Sequence, residues 1–319
     1  MMTAILSADI GATNSRFAFF QGSETAELKL RQDVWLATKE AGSFQELLDR
    51  LPSSDLGLDH HQADLICLAA AGPVQRESYC QPPHIAWDID LERDLGHGVP
   101  SLLINDFVAQ AWACLSPVAD QARPVLPGQA DPHAAKAVIG AGSNLGHAAL
   151  VPDGRGAWTP VASEGGHAAF AFHGEREGAY QAFLGAEQGD PYPIADTVVS
   201  GKGLSYLHQF LTGQKLSPEE VGAVLDQHPD TLAWMARFYG RACRQWAMQV
   251  TALGGVYIAG GVAAKLPALV EHEQFAREFR LADPSNRILR DIPVWLIADE
   301  NSGLWGAATA ALERLGPRR

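Results

Sequence analysis

The sequence predicts an α/β protein of two related halves, each opened by a β-hairpin and built on a mixed sheet, with a cleft between them. Three observations lead there. An apolar strand at 4–10 runs through a polar turn, Asp9-Ile10-Gly11-Ala12-Thr13-Asn14, into an alternating strand at 15–20. The pattern returns as a strand at 135–139, the turn Gly140-Ala141-Gly142-Ser143-Asn144-Leu145-Gly146, and a strand at 147–151. Continuous apolar runs, Leu65–Ala71 above all, have the composition of strands covered on both faces, as α/β sheets require.

The other elements follow in order. A strand covers 28–37, and Ser43 caps a helix over 44–51. Gly72-Pro73 ends the buried strand at 65–71. Leu102–Ile104 is a short strand closed by Asn105-Asp106, with a helix at 107–115 behind it. Pro, Gly, Asp and Gln make 117–135 a connecting loop. Helices are expected at 175–185, 200–211, 218–226 and 230–253. A strand at 256–259 meets Gly260-Gly261 and a helix at 262–270; a last strand spans 294–297 and a last helix 303–314.

Composition narrows the function. The 319 residues carry 24 basic and 37 acidic side chains, a net charge of −13. That disfavours nucleic acid and anionic membranes, which call for basic patches. Cys67, Cys80, Cys114 and Cys243 form no C-x-x-C pair, and three lie in or beside apolar segments. Such thiols fit a reducing compartment better than a disulfide scaffold. No signal peptide and no apolar run of membrane-spanning length is visible, so a soluble cytoplasmic protein is expected.

The chemistry-bearing residues cluster at strand ends. The 9–14 turn offers backbone N–H groups to an anion, and Asp9 beside it suits a hydrated Mg²⁺, which takes one or two carboxylates plus phosphate oxygens. The chain has no Walker A loop. The 140–146 turn is no dinucleotide fingerprint either: three residues separate Gly142 from Gly146, and a strand follows it. It reads as a second phosphate clamp or an ordinary hairpin turn. Gly260-Gly261 lets backbone approach a ligand, or simply packs a helix tightly on a strand. Asp106 stands where an acid can accept a proton from a bound hydroxyl, the main covalent assistance in phosphoryl transfer to an alcohol. It is also a good N-cap for the helix behind it. Glu164 and His167 flank Gly165-Gly166; the glycines argue against a helix and so against a helical metal site, leaving a hydrogen-bonding pair for a polyol or a surface turn. No zinc site is expected, since no Cys/His cluster has ligand spacing.

Six segments occur in order: Asp9-Ile10-Gly11-Ala12-Thr13-Asn14-Ser15-Arg16, Ile104–Phe107, Gly140–Gly146, Glu164–His167, Val199–Leu204 and Ile258–Val262. Together they resemble the bacterial glucokinase family of the hexokinase and actin-like ATPase superfamily, over nearly the whole chain. The resemblance implies the two-domain actin-like ATPase (ribonuclease H-like) fold: a small α/β domain at 1–106 completed by 301–319, and a large one at 107–300. It implies ATP-dependent phosphorylation of the glucose 6-hydroxyl with Mg²⁺. Carried over by position, Asp106 is the general base, and Asn105, Glu164, His167 and Asp196 bind the sugar. Ala8, Asp9, Ile10, Gly11, Ala12, Thr13 and Asn14, with Gly140, Gly142, Ser143 and Asn144, form the phosphate loops. Gly260 and Gly261 abut adenosine, and Asp9 holds Mg²⁺ through water. A homodimer follows from the family alone.

Four departures stand out. Ala12 replaces a customary Gly, at a cost of roughly 1 kcal/mol if the position needs positive φ. Ser143-Asn144 stands for Thr-Gly, Gln81-Pro82-Pro83-His84 lacks a customary amide before Trp87, and Asp196 stands for Glu. Two alternatives stay open: a kinase for another hexose, and a non-catalytic sugar sensor of the same fold. The strand start and acidic charge disfavour a DNA-binding regulator.

Overall fold

The computed structural model describes residues 2–23, 26–189, 192–281 and 287–316. The chain divides into two compact units, Met1–Gln121 with Asn301–Arg319, and Ala122–Glu300.

In the first unit, strands β1 (Thr3–Ile10), β2 (Asn14–Ser23) and β3 (Ala26–Ala37) form an antiparallel meander. β4 (Leu65–Ala70) pairs parallel with β1, and β5 (Ser101–Asn105) pairs parallel with β4. The order is β3-β2-β1-β4-β5. Helix α1 (Phe44–Arg50) starts on Ser43, whose hydroxyl accepts from Glu46 N–H as the sequence predicts. Helix α2 (Asp106–Ala113) leaves the end of β5. A small three-stranded sheet, 74–75, 79–80 and 89–90, was not legible in the sequence. Its strands are two residues long, too short to show a period of two.

The second unit repeats the plan. After β6 (Arg123–Leu126), strands β7 (Lys136–Ala141), β8 (Leu145–Pro152) and β9 (Trp158–Ser163) form an antiparallel meander. β10 (Val256–Ala259) and β11 (Val294–Leu296) add parallel to β7. The order is β9-β8-β7-β10-β11-β6. Strand for strand, β9 to β11 copy the first sheet, and β6 is the extra antiparallel edge. Helices α3 (Gly174–Gln188), α4 (Gly201–Thr212), α5 (Pro218–Val224), α6 (Pro229–Gln249), α7 (Gly261–Lys265) and α8 (Glu273–Phe279) accompany it. The helix expected at 262–270 is two pieces, because Pro267 cannot donate the bond that would continue α7.

The C-terminal helix α9 (Ser302–Leu315) belongs to the first unit, where it packs on α2, β1 and β4. The segment 107–121 goes with that unit too, because α2 is half of this helix pair.

Each unit has its own core. Phe17, Phe44, Leu68 and Trp87 lie in the first, and Tyr180, Phe238, Tyr239 and Phe275 in the second. All four cysteines are buried thiols. No described helix is long and apolar enough to cross a membrane.

Candidate active site

The first unit gathers its expected site residues at the carboxyl ends of β1 and β5. Ala8 and Ile10 are buried, with β2 on one side and β4 on the other, so they carry the turn rather than face a ligand. Gly11, Ala12 and Thr13 make the turn, Thr13 O accepts from Thr38 N–H at 3.0 Å, and Asn14 opens β2. Ala12 is not among the residues with positive φ, so its methyl group strains nothing.

Asn105 and Asp106 divide two tasks. The helix begins one residue earlier than expected, so Asn105 is the cap: its Oδ1 accepts from Phe107 N–H at 2.9 Å and Val108 N–H at 3.3 Å. Its Nδ2 donates to Gly72 O at 3.1 Å, which leaves one amide hydrogen for a ligand. Asp106 is therefore not the helix's cap. It is half-buried, its Oδ1 accepts from Phe107 N–H at 3.0 Å, and its charge adds to burial in pushing the nearby Cys80 thiol up to about 11.

Asp9 lies beside the start of α9. A Cβ on Gly303 would stand 3.2 Å from Asp9 Oδ2 and 3.5 Å from Gln110 Nε2. Burial raises the Asp9 carboxyl above its ordinary range, and the Arg16 charge opposes that. Gln110 Oε1 is a buried acceptor without a hydrogen-bond partner. The amide atom of Gln110 near this spot is the donor Nε2, and the Asp9 carboxylate supplies hard oxygen of the kind that Mg²⁺ prefers.

In the second unit, Gly140 and Gly146 face each other across the hairpin and Gly142 N–H donates to Asn144 O at 2.8 Å. Two other segments grip this turn. On one side Asp196 accepts from Leu145 N–H through Oδ1. Burial raises this carboxyl, while the Leu145 bond and the charges of His167 and Lys202 pull it down. Glu164 and His167, both exposed, stand 3.5 Å apart (Oε2 to Nε2) on a 3₁₀ turn at Gly165–His167. The two glycines allow that single turn, where the sequence argued against any helix. Ala195 N–H donates to Ala168 O at 2.9 Å, tying the Asp196 segment to the one carrying His167. The shorter acid at 196 is thus bonded to the hairpin backbone itself.

On the other side Gly201 N–H donates to Gly142 O at 2.9 Å. Here a cavity of about 650 Å³ opens, walled by Leu204, Pro218, Val262 and Leu266, with Ser143 and Lys202 at its polar edge. Gly261 lines it. Gly260 has φ +86°, and a Cβ there would meet Ala141 O at 2.8 Å, so only glycine fits. Lys202, Lys265 and the Pro218–Gly222 stretch received no role from the sequence. The signal was present in Ser200-Gly201-Lys202-Gly203: a capping hydroxyl and a cation at a helix start mark an anion-binding N-terminus.

The Gln81–His84 loop does not supply the customary amide. Gln81 Nε2 bonds Ile85 O at 3.3 Å and Trp87 O at 3.2 Å within its own loop.

A family model described as glucokinase matches residues 6–314. The chain belongs to the glucokinase family. A glucokinase of Pseudomonas paraeruginosa is 33% identical over 97% of this chain and 93% of its own length. Among solved structures, a glucokinase from an Antarctic psychrotroph is similar with TM-score 0.84 and 25% identity, over 97% of this chain and 98% of that one. A ROK-family glucokinase from Streptomyces griseus, solved with glucose and AMPPNP, shares the fold at TM-score 0.65 and 18% identity, over 97% and 99%. The glucokinase-family fold is thus the two-domain actin-like ATPase fold the sequence implies.

Proposed function

We propose that this member of the glucokinase family transfers the γ-phosphoryl group of Mg·ATP to the 6-hydroxyl of D-glucose. One observation carries the reading: the Gly142-Ser143-Asn144 turn is held from one side by Asp196, beside His167, and from the other by Gly201, at the mouth of the cavity. A sugar on Asp196, Glu164 and His167 and a nucleotide in the cavity would meet at this turn.

The cavity takes adenosine between its apolar walls, with Gly260-Gly261 giving backbone access. The α4 N-terminus, Lys202 and the turn amides face the phosphates, so charge developing in transfer meets donors already in place. In the first unit, Asp106 accepts the proton of the attacking hydroxyl and Asn105 contributes its remaining amide hydrogen. The Gly11–Thr13 turn offers a second set of phosphate-binding amides. Asp9 would hold Mg²⁺, which supplies neutralising charge for the phosphate oxygens when bound.

The test is steady-state kinetics by enzyme-linked ADP release over a panel of sugars. Glucose should give the highest kcat/KM; a much higher value for mannose, fructose or an amino sugar would reassign the acceptor. Sugar binding without turnover at saturating Mg·ATP would mean a sensor. Asp106→Asn should lower kcat by roughly 10²-fold or more, the usual scale for loss of a general base, with sugar still bound. Normal turnover by that variant would remove Asp106 from the mechanism. Asp9→Asn should raise the Mg²⁺ concentration needed for half-maximal rate, and an unchanged Mg²⁺ dependence would free Asp9 of that role.

A further inference from the structure

The first unit carries a second cluster of ligating side chains. Asp59, His60 and His61 each bring one donor atom within 4.8 Å of the other two. They occupy the 3₁₀ turn His60–Gln62 and its cap, just ahead of β4. The turn is fixed at both ends: Asp59 Oδ1 accepts from His61 N–H at 2.9 Å, and Gln62 Oε1 accepts from Asp59 N–H at 2.8 Å.

Against the sequence expectation of no zinc site, we propose that Asp59, His60 and His61 form a binding site for one borderline divalent transition ion of the zinc type. Three features carry it. His60 Nδ1 and Asp59 Oδ1 are 3.1 Å apart. Two donors at that separation, each about 2.1 Å from an ion, subtend about 95° at it, an angle that tetrahedral and octahedral ions both tolerate. The His60 and His61 rings lie centroid to centroid at 3.9 Å, inclined by 40°, and the exposed His61 keeps a ring nitrogen within 4.8 Å of the other two donors. His60 is 7% exposed, and Asp49 of α1 acts on it electrostatically, adding a second negative charge to the neighbourhood. Imidazole and carboxylate together select zinc-like ions over Mg²⁺, which keeps to oxygen. Water completes the coordination on the exposed side.

This is a different place from the Asp9 group. The turn precedes the amino end of β4, whereas Asn105 and Gly72 lie at the carboxyl ends of β5 and β4. A six-residue strand, about 20 Å, separates the two ends. An ion here would pin the chain between α1 and β4, at the opposite end of β4 from Asn105 and Gly72.

The test is calorimetric titration of the untagged, chelator-treated full chain with Zn²⁺ in excess Mg²⁺, which occupies all-oxygen sites. One equivalent should bind. His61→Gln, an exposed change that leaves the fold intact by circular dichroism, should weaken binding about tenfold or more. Asp59→Asn should weaken it as well. Glucose phosphorylation by His61→Gln should match that of the parent. No uptake, or uptake that His61→Gln leaves unaltered, would overturn the assignment.

Discussion

Asn105 and Asp106 show how finely adjacent residues can be divided. Either could cap a helix, and a sequence cannot decide between them, because the choice turns on whether the helix starts at 106 or 107. The structure starts it at Asp106 and gives the cap to Asn105. The two substitutions should therefore separate. Asn105→Ala should lower stability by about 1 kcal/mol through loss of the cap, seen as a lower Tm, whereas Asp106→Asn should leave Tm nearly unchanged while kcat falls. Equal loss of Tm in both would contradict the division. His147 supplies a second prediction at this scale. It is buried, and burial, opposed by the Leu145 backbone, lowers its pKa to about 4 from an ordinary 6.5. Between those values the unfolded chain binds the proton and the folded chain does not, so stability should be complete above pH 6.5 and fall as pH drops toward 4. The loss is on the order of 3 kcal/mol. In urea titrations at pH 7 and pH 4.5, His147→Gln should show a smaller difference than the parent; an equal one would remove His147 as a source. Asp196 was singled out only through the resemblance, since nothing local distinguishes it from a surface acid, whereas Glu164 stood out with His167 beside the Gly165-Gly166 bend.

Among the elements, the two edge strands of the second sheet that the sequence missed share a cause. β6 carries Pro124 and β9 carries Pro160, and both are edges of the second sheet. Proline is tolerated at an edge but reads as a loop signal in sequence. The two hairpins were legible because alternation, a polar turn and renewed alternation survive in each. Helix α9 against α2 offers a sharper test. A Cβ on Gly306 would lie 1.8 Å from Ala109 O and 2.6 Å from Ala109 C, both backbone atoms that cannot rotate away. Gly306→Ala should therefore force the helices apart at roughly 1–3 kcal/mol, the usual range for overpacking, despite alanine's better helix propensity. An unchanged or raised Tm would mean the pair is looser than described.

For the molecule as a whole, the duplication was legible and the unit boundary was not. Matching hairpins announced two sheets of one plan. That residues 107–121 join the first unit depends on α9, almost two hundred residues downstream, which local sequence cannot express. Each unit has a separate core, and the cavity is lined entirely from the second. AMPPNP without sugar should accordingly slow amide hydrogen exchange at 200–222 and 261–266. Protection that appeared only when sugar was added would show that the cavity is not complete in its own unit.

The interior placement of every thiol has a practical corollary. Burial lifts Cys67 and Cys243 well above the ordinary thiol range and Cys80 to about 11, so these three carry little reactive thiolate at neutral pH, and Cys114 is buried with them. Native protein should be nearly silent to maleimide dyes and indifferent to mild oxidants, taking up label only on denaturation. A single cysteine introduced on the surface would then report alone, which makes the chain a convenient host for spin labels and fluorophores without prior removal of its own sulfur.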